Sequence, residues 1–181
     1  MTLDAADMTK PLDRAACEAM DRADPLAPLR ARFDLPGEMI YLDGNSLGAM
    51  PKDAAARAHD VVTREWGADL IKSWNSAGWF DLPVRLGDKL APLIGAAPGE
   101  VVICDSTSQN LFKVLSAAVA LRPDRSVLIL EGSNFPTNNY IAQGVAAATG
   151  GRVEVRLCEK DEIAGAIDED TIAVAITHVH Y

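Results

Sequence analysis

The sequence predicts an α/β fold in which helices cover the faces of a mainly parallel sheet. Two observations carry this prediction. From residue 100 onward, strand-like and helix-like segments alternate, which is typical of right-handed crossovers between parallel strands. Residues 126–130 and 171–179 are continuous apolar runs of the kind that is buried on both faces in a parallel sheet.

Length and composition indicate an acidic chain with room for one substantial core. The 181 residues are 49% hydrophobic and carry a formal net charge of −9. A domain of this size buries roughly 70% of its unfolded surface. No membrane span, signal peptide or basic run is visible, so we expect a cytoplasmic protein with neither a membrane nor a nucleic acid as partner. Three widely separated cysteines argue against a disulfide framework and a metal site.

The first fifty residues are predicted to hold helices, a strand and a glycine-bearing loop. Residues 12–23 place small and apolar side chains on one side of a helix, and the prolines of 24–37 limit that stretch to one short helix. Residues 39–42 are predicted as a brief strand, followed by the loop 43–48. Two glycines in this loop permit a close backbone approach to a ligand, although a plain turn explains the same residues.

The next fifty residues are predicted as two helices on either side of an aromatic loop. The first helix begins with proline at residue 51 and runs to 66, and the second spans 83–94. Residues 73–80 lie between them. The chain has three Trp, three Tyr and four Phe, and three of these ten aromatic residues fall within seven positions of this loop. Such rings either seal a core beneath the loop or stack on a flat ligand.

A polar turn at residues 105–108 joins a predicted strand at 101–104 to a helix that ends near Leu121. Apolar side chains recur at helical spacing after the turn. A strand-to-helix turn presents unpaired amides and the positive end of a helix dipole, which suits a phosphate held by Thr107 and Ser108. Helix capping alone remains the alternative, because Asp, Ser and Thr cap helices without any ligand.

The remaining residues are predicted to complete the parallel sheet. In chain order they are strand 126–130, polar loop 131–140, helix 141–148, strand 152–157, helix 162–167 and strand 171–179. Because ligands of such sheets bind at the carboxyl ends of the strands, we expect the polar loops after residues 104, 130 and 177 to gather there.

Phe135 lies in the polar loop that follows strand 126–130. Asn134 precedes it and Pro136 follows it, so it falls outside any apolar periodicity that would assign it to the core. Together with the phosphate-type turn and the aromatic loop, it describes a pocket for a flat anionic cofactor.

Five motifs, in this order, resemble the successive motifs of the bacterial kynureninase family. They are Tyr41-Leu-Asp-Gly-Asn-Ser-Leu-Gly48, Ser73-Trp-Asn-Ser-Ala-Gly-Trp79, Asp105-Ser-Thr-Ser-Gln-Asn-Leu-Phe112, Ser133-Asn-Phe-Pro-Thr137 and Thr177-His-Val-His-Tyr181. The resemblance implies the three-layer, aminotransferase-like large domain of fold type I pyridoxal-phosphate enzymes, incomplete on its C-terminal side. It also implies a division into an N-terminal arm with a substrate-side loop at 1–50 and the first part of the cofactor-binding domain at 51–181.

The resemblance also implies roles for individual residues. Thr107 and Ser108 would hold the phosphate of pyridoxal 5'-phosphate, and Phe135 would stack on its pyridine ring. Asn138 stands where the family usually has an acid near the ring nitrogen. A neutral amide there gives weaker support to a protonated pyridine than a carboxylate does.

On the substrate side, the resemblance implies that Ser46 and Trp74 line the site for the amino-acid and aryl parts of kynurenine. The family lysine that forms the Schiff base with the cofactor lies beyond the position matched by Tyr181. None of the six lysines of the chain falls at that motif, so we expect no catalytic residue in this chain and no turnover by it alone.

The implied activity is that of a hydrolase acting on carbon–carbon bonds. It cleaves L-kynurenine or 3-hydroxykynurenine to anthranilate or 3-hydroxyanthranilate and L-alanine, in tryptophan degradation and NAD biosynthesis, as a homodimer. Two alternatives are another fold type I lyase, similar to cysteine desulfurase, and a non-catalytic binding module that retains the fold.

Overall fold

The computed structural model describes residues 12–37 and 39–178, which divide between two compact units, Met1–Phe80 and Asp81–Tyr181. The two units have different kinds of interior, and each is described separately. The predicted functional division at residue 50 stays a prediction.

The first unit consists of short helical segments and one two-stranded antiparallel ribbon. Its α-helices are α1 (Arg14–Ala23), α2 (Ala54–Asp60) and α3 (Ser73–Ser76), its 3₁₀ turns are Ala27–Arg32 and Leu70–Lys72, and its π-helical turn is Val61–Trp66. Strand β1 (Phe33–Asp34) pairs with β2 (Met50–Pro51). The predicted helix at 12–23 is confirmed. It begins where the carboxylate of Asp13 accepts a hydrogen bond from the amide of Ala16 at 2.8 Å.

Two predictions for this unit are wrong. Residues 39–42 are not a strand, because the ribbon forms between β1 and β2 and leaves them outside it. The predicted helix start at Pro51 is also wrong, since Pro51 belongs to β2 and the next amide, of Lys52, donates to the carbonyl of Arg32 at 2.9 Å. The helix therefore begins at Ala54.

Polar side chains form the interior of the first unit. Among its described residues, no apolar side chain is fully buried, whereas Glu65 and Ser73 are 3% and 0% exposed. Hydrogen bonds and ion pairs around Glu65 therefore stabilise the part of this unit that excludes water.

The second unit contains the three-stranded parallel sheet. Its elements are α4 (Leu82–Leu90) with a 3₁₀ turn at Ala91–Leu93, α5 (Thr107–Leu121), β3 (Val127–Glu131), α6 (Pro136–Ala148), β4 (Glu154–Cys158), α7 (Ile163–Ala166) and β5 (Thr171–Ala175). The strand order is β4-β3-β5, and Leu128 lies opposite Val155 on one side and Ala173 on the other. The α/β class and the parallel sheet are confirmed.

The central strand β3 is buried on both faces. Its even-numbered residues Leu128 and Leu130 pack with a cluster from α5 and α6, whose fully buried members are Leu115, Val119, Ala142, Val145 and Ala146. Its odd-numbered residues Val127 and Ile129 pack with Cys158 and with two half-buried residues of α7. Alternating side chains thus explain why a continuous apolar run forms the middle strand with helices on either face.

Two further sequence predictions differ from the structure. Residues 101–104 are irregular rather than a strand, and the amide of Ile103 donates to the carbonyl of Pro83 at 3.1 Å, which ties the segment to α4 instead of to the sheet. The polar loop after β3 ends earlier than residue 140, because α6 begins at Pro136, where a missing N–H removes no helical bond. The last predicted strand ends at Ala175, and residues 179–181 lie outside the described residues.

Candidate functional site

The turn before α5 is a capping box. The hydroxyl of Ser106 accepts from the amide of Gln109 at 3.4 Å, and the side chain of Gln109 accepts from the amide of Ser106 at 3.1 Å. Helix capping, the alternative left open for this turn, is therefore present. Its cap residue is Ser106, so the hydroxyls of Thr107 and Ser108 are not used for it. Among the described residues, the amides of Thr107 and Ser108 have no hydrogen-bond acceptor.

An open groove of about 410 Å³ runs along the start of α5. Its lining residues are Asp105, Ser108, Gln109, Phe112, Lys113 and Ile141. Ser108 is thus at the groove, and Ile141 brings α6 to its other side. Thr107 lies on the same helical turn, exposed, and is not one of the lining residues.

The charges in this groove form one ion pair. The ammonium of Lys113 donates to a carboxylate oxygen of Asp105, and this hydrogen bond raises the pKa of Lys113 above its ordinary value. Lys113 therefore stays protonated at neutral pH and neutralises the one carboxylate beside Ser108. Asp105 has a φ of +47°, a left-handed conformation that Asp adopts more readily than most residues.

A second polar group lies where β3 and β5 end. The side-chain oxygen of Asn134 accepts from the amide of Phe135 at 2.8 Å, from the side chain of Asn138 at 2.9 Å and from the hydroxyl of Thr177 at 2.5 Å. Asn134 is 4% exposed. Of the three polar loops expected to gather at the carboxyl ends of the strands, those after residues 130 and 177 meet through the bond between Thr177 and Asn134, whereas the loop after residue 104 follows an irregular segment and not a strand.

The two ring-side candidates are neighbours of Asn134. Phe135 directly precedes α6 with half of its surface exposed, so it is not a core residue. Asn138 lies in the first turn of α6 and donates one of its two side-chain N–H groups to Asn134, so its side-chain oxygen is open to a ligand. The next residue, Asn139, is buried and donates to the carbonyl of Gly132 at 3.2 Å, while its own side-chain oxygen has no partner among the described residues.

The aromatic loop of the first unit is organised by Glu65. One carboxylate oxygen of Glu65 accepts from the indole N–H of Trp79 at 2.6 Å, and the other lies 2.8 Å from the guanidinium of Arg57. The rings of Trp79 and Trp74 meet edge to face, with centroids 6.4 Å apart and planes at 73°. The rings of this loop could either cover a core or stack on a flat ligand. Trp79 contacts the buried Glu65 and so takes the first role, whereas half of the surface of Trp74 is exposed.

Ser46, the other substrate-side candidate, lies in an exposed turn of the first unit. Its amide donates to the carbonyl of Asp43 at 3.2 Å. The hydroxyl of Tyr41 lies 2.5 Å from the carbonyl oxygen of Leu47 and closes the same turn. The loop predicted at 43–48 is thus present, held by its own backbone and by Tyr41.

Sequence reasoning missed Asn134, Asn139 and Glu65. The sequence shows Asn134 only as a polar neighbour of Phe135, and it places Glu65 near the end of the predicted helix 51–66, beside the apolar residues Val61, Val62 and Trp66. A lone carboxylate beside apolar residues is itself a signal, because burying it requires donors that satisfy both oxygens.

The described part of the chain holds neither a candidate metal site nor a candidate membrane span. Residues 12–37 and 39–178 contain no group of three or more His, Cys, Asp or Glu side chains arranged to hold a metal ion. No helix in these ranges is both long and apolar enough to cross a lipid bilayer.

Comparison with known proteins finds relatives among the bacterial kynureninases, although no family model matches the chain. The chain is 56% identical to a kynureninase of Burkholderia pseudomallei (strain 1106a) over 168 residues, which cover 90% of this chain and 40% of that protein. It is 55% identical to a kynureninase of Pseudomonas fluorescens over 173 residues, or 93% of this chain and 42% of that protein. A kynureninase of Burkholderia mallei (strain SAVP1) is 55% identical over 168 residues.

The chain thus spans 40% to 42% of the length of these curated relatives. Identity at this level over nine tenths of the chain confirms the resemblance that the five sequence motifs indicated. Over that share of its residues, the chain is homologous to the bacterial kynureninases.

Proposed function

We propose that this chain carries the phosphate-binding turn and ring platform of a kynureninase, and that the whole protein hydrolyses L-kynurenine or 3-hydroxykynurenine with pyridoxal 5'-phosphate. The observation that carries the proposal is the 55–56% identity to kynureninases over 90% of the chain. The products are anthranilate or 3-hydroxyanthranilate and L-alanine. The fold type I architecture, a cytoplasmic location and a homodimeric assembly belong to the same proposal.

The residues present fit a phosphate at the start of α5. Thr107 and Ser108 offer two hydroxyls and two amides without an acceptor among the described residues, at the positive end of a 15-residue helix. Asp105 would oppose an anion there, but the protonated Lys113 beside it cancels that charge. Thr107, Ser108 and the neighbouring amides would therefore bind the phosphate.

The residues at the start of α6 fit the ring of the cofactor. Bound pyridoxal phosphate supplies an electron sink for cleavage of the substrate's Cβ–Cγ bond. Phe135 provides a half-exposed ring for stacking. Asn138, oriented through Asn134 and Thr177, would present its carbonyl oxygen to the ring nitrogen. As an uncharged acceptor, it would hold a proton on that nitrogen less strongly than a carboxylate does.

On the substrate side, Trp74 would contact the aryl group of kynurenine and Ser46 its amino-acid part. Half of the surface of Trp74 is exposed, as such a contact requires. None of the six lysines occupies the family's Schiff-base position, so this chain would bind the cofactor reversibly and release no product.

Titration of the chain with pyridoxal phosphate tests the proposal. We expect saturable binding that inorganic phosphate competes away, that borohydride does not make covalent, and that Ser108→Ala weakens. L-Kynurenine and anthranilate should bind, while L-cysteine, the substrate of the desulfurase alternative, should not. Absence of cofactor binding, or a preference for cysteine, would refute the proposal. Anthranilate release by the chain alone would refute its inactivity.

A further inference from the structure

The proposed reaction leaves the buried carboxylate of Glu65 unused. It is 3% exposed, in a unit whose other fully buried described residue is Ser73. Burying a carboxylate is costly unless donors satisfy it. The contacts that Glu65 makes therefore indicate what it holds in place.

Glu65 reaches Trp74 by two separate connections. Its carboxylate accepts the indole N–H of Trp79 at 2.6 Å, and the ring of Trp79 meets that of Trp74 edge to face. Its backbone carbonyl oxygen contacts the hydroxyl of Ser73, the residue directly before Trp74. Trp74 is thus held at its backbone and at its ring.

Two guanidinium groups hold the carboxylate of Glu65 in place. The guanidinium groups of Arg57 and Arg64 lie 2.8 Å and 3.4 Å from the carboxylate oxygen that Trp79 does not use. The carbonyl of Trp74 accepts from the amide of Phe80 at 3.1 Å, which closes the loop between the two indoles. Both carboxylate oxygens are occupied, so the orientation of the Trp79 ring is set by a charge-assisted bond.

We propose that Glu65 is a positioning residue for an aromatic-ring subsite, in which Trp79, locked by the Glu65 carboxylate, fixes the half-exposed ring of Trp74 for contact with an anthranilate-type aryl group. This inference rests on the proposed function for the identity of the aryl ligand. Edge-to-face packing keeps one ring from rotating while the other presents its surface. Pre-organising a ring lowers the ordering cost of binding and so tightens it.

The experiment uses the Trp66→Phe variant, which keeps Trp74 and Trp79 as the only two tryptophans. Two indoles in fixed contact give an exciton couplet in circular dichroism, which the further change Trp79→Phe must remove. Calorimetric titration with anthranilate measures the ring subsite directly. In this background, Glu65→Gln should abolish the couplet and weaken anthranilate binding about three- to tenfold.

The matched control is Glu18→Gln, which makes the same chemical change in an exposed carboxylate paired with Arg14 at 2.8 Å. It should change neither the couplet nor the affinity. The Trp79→Phe variant should weaken anthranilate binding by the same factor as Glu65→Gln, and combining the two should weaken it no further, because Glu65 acts through Trp79. If far-ultraviolet circular dichroism shows that Glu65→Gln does not fold, the anthranilate affinity of Trp79→Phe tests the inference by itself.

The inference would be overturned if folded Glu65→Gln kept the full couplet and the wild-type affinity for anthranilate. It would also be overturned if the losses of affinity added up in the double variant, or if Trp79→Phe bound anthranilate as tightly as wild type. Failure of the proposed function would give a different experimental result. If the Trp66→Phe protein binds neither anthranilate nor L-kynurenine, the aryl ligand is wrong. The couplet in Glu65→Gln then decides whether Glu65 fixes the ring pair.

Discussion

Asn138 donates its side-chain N–H to the oxygen of Asn134, 2.9 Å away, one helical turn before it. The same oxygen accepts from the amide of Phe135 and the hydroxyl of Thr177. Because all three partners are donors, the buried oxygen of Asn134 cannot face an acceptor at position 138 without losing a bond. The amide at position 138 is therefore matched to its surroundings.

An acid at position 138 should consequently destabilise this chain. At neutral pH, Asn138→Asp places a carboxylate against the Asn134 oxygen, and we expect a loss of about 1 to 3 kcal/mol in the free energy of unfolding. The loss should shrink at acid pH, where a protonated carboxyl can donate. Urea unfolding at the two pH values measures this. Asn75→Asp, at an exposed position in α3, is the control, and equal stability of Asn138→Asp and wild type would contradict the prediction.

The cap and the phosphate function of the α5 turn should separate by mutation. Ser106→Ala removes the cap and should cost about 1 kcal/mol of stability, with little effect on cofactor affinity beyond that. Ser108→Ala should leave thermal stability unchanged and weaken pyridoxal phosphate binding. Thermal unfolding and cofactor titration of both variants check this. If Ser106→Ala weakened cofactor binding and Ser108→Ala lowered the stability instead, Ser106 would be the phosphate ligand.

Gly87 should tolerate no side chain. A Cβ at this buried position of α4 would lie 1.9 Å from the carbonyl oxygen of Val101, which is backbone and cannot turn away. We expect Gly87→Ala to lose at least about 2 kcal/mol of stability. The control is Gly144→Ala in α6, where nothing lies within 4 Å of the added Cβ and helix propensity should gain up to about 1 kcal/mol. Chemical denaturation of both variants measures the contrast, and similar stabilities would refute it.

Acid should remove the contribution of Asp168. Its pKa is lowered from 3.8, first by the hydrogen bond from Arg156 and then by that from Thr171. A lowered folded-state pKa means that Asp168 stabilises the fold above pH 3.8 and that this stabilisation is lost as pH falls through the folded-state pKa.

The variant Asp168→Asn should therefore be less stable than wild type at neutral pH and approach the stability of wild type as the pH falls below 3.8. Urea midpoints measured across this range check the convergence, with Asp124→Asn, another exposed carboxylate, as control. A stability difference that is constant with pH would show that Asp168 acts through something other than its charge.

The sheet and its central core could be predicted from sequence, because a continuous apolar run such as 127–130 has few other ways to be buried. The same argument fails at residues 101–104. An apolar segment becomes a strand only where another backbone pairs with it, and here the amide of Ile103 finds the carbonyl of Pro83 instead. That choice depends on the close approach of α4 at Gly87, which no local pattern encodes.

The candidate site could be predicted in part. Small hydroxyl residues between an apolar run and a helix marked the α5 turn, and Phe135 stood out because it broke the apolar pattern. Asn134 and Glu65 did not stand out, because their importance comes from partners 43 and 14 positions away, Thr177 and Trp79. Contacts at such separations follow from the tertiary fold and leave no local pattern.

The polar interior of the first unit has a calorimetric consequence. The heat-capacity increase on unfolding comes from apolar surface that becomes hydrated, and polar surface reduces it. A unit that buries Glu65 and Ser73 and, among its described residues, no complete apolar side chain adds little to that increase. The heat-capacity change on unfolding of the chain should therefore be that of a protein not much larger than the sheet-containing unit. Ionic strength should affect the stability of the first unit more than that of the second.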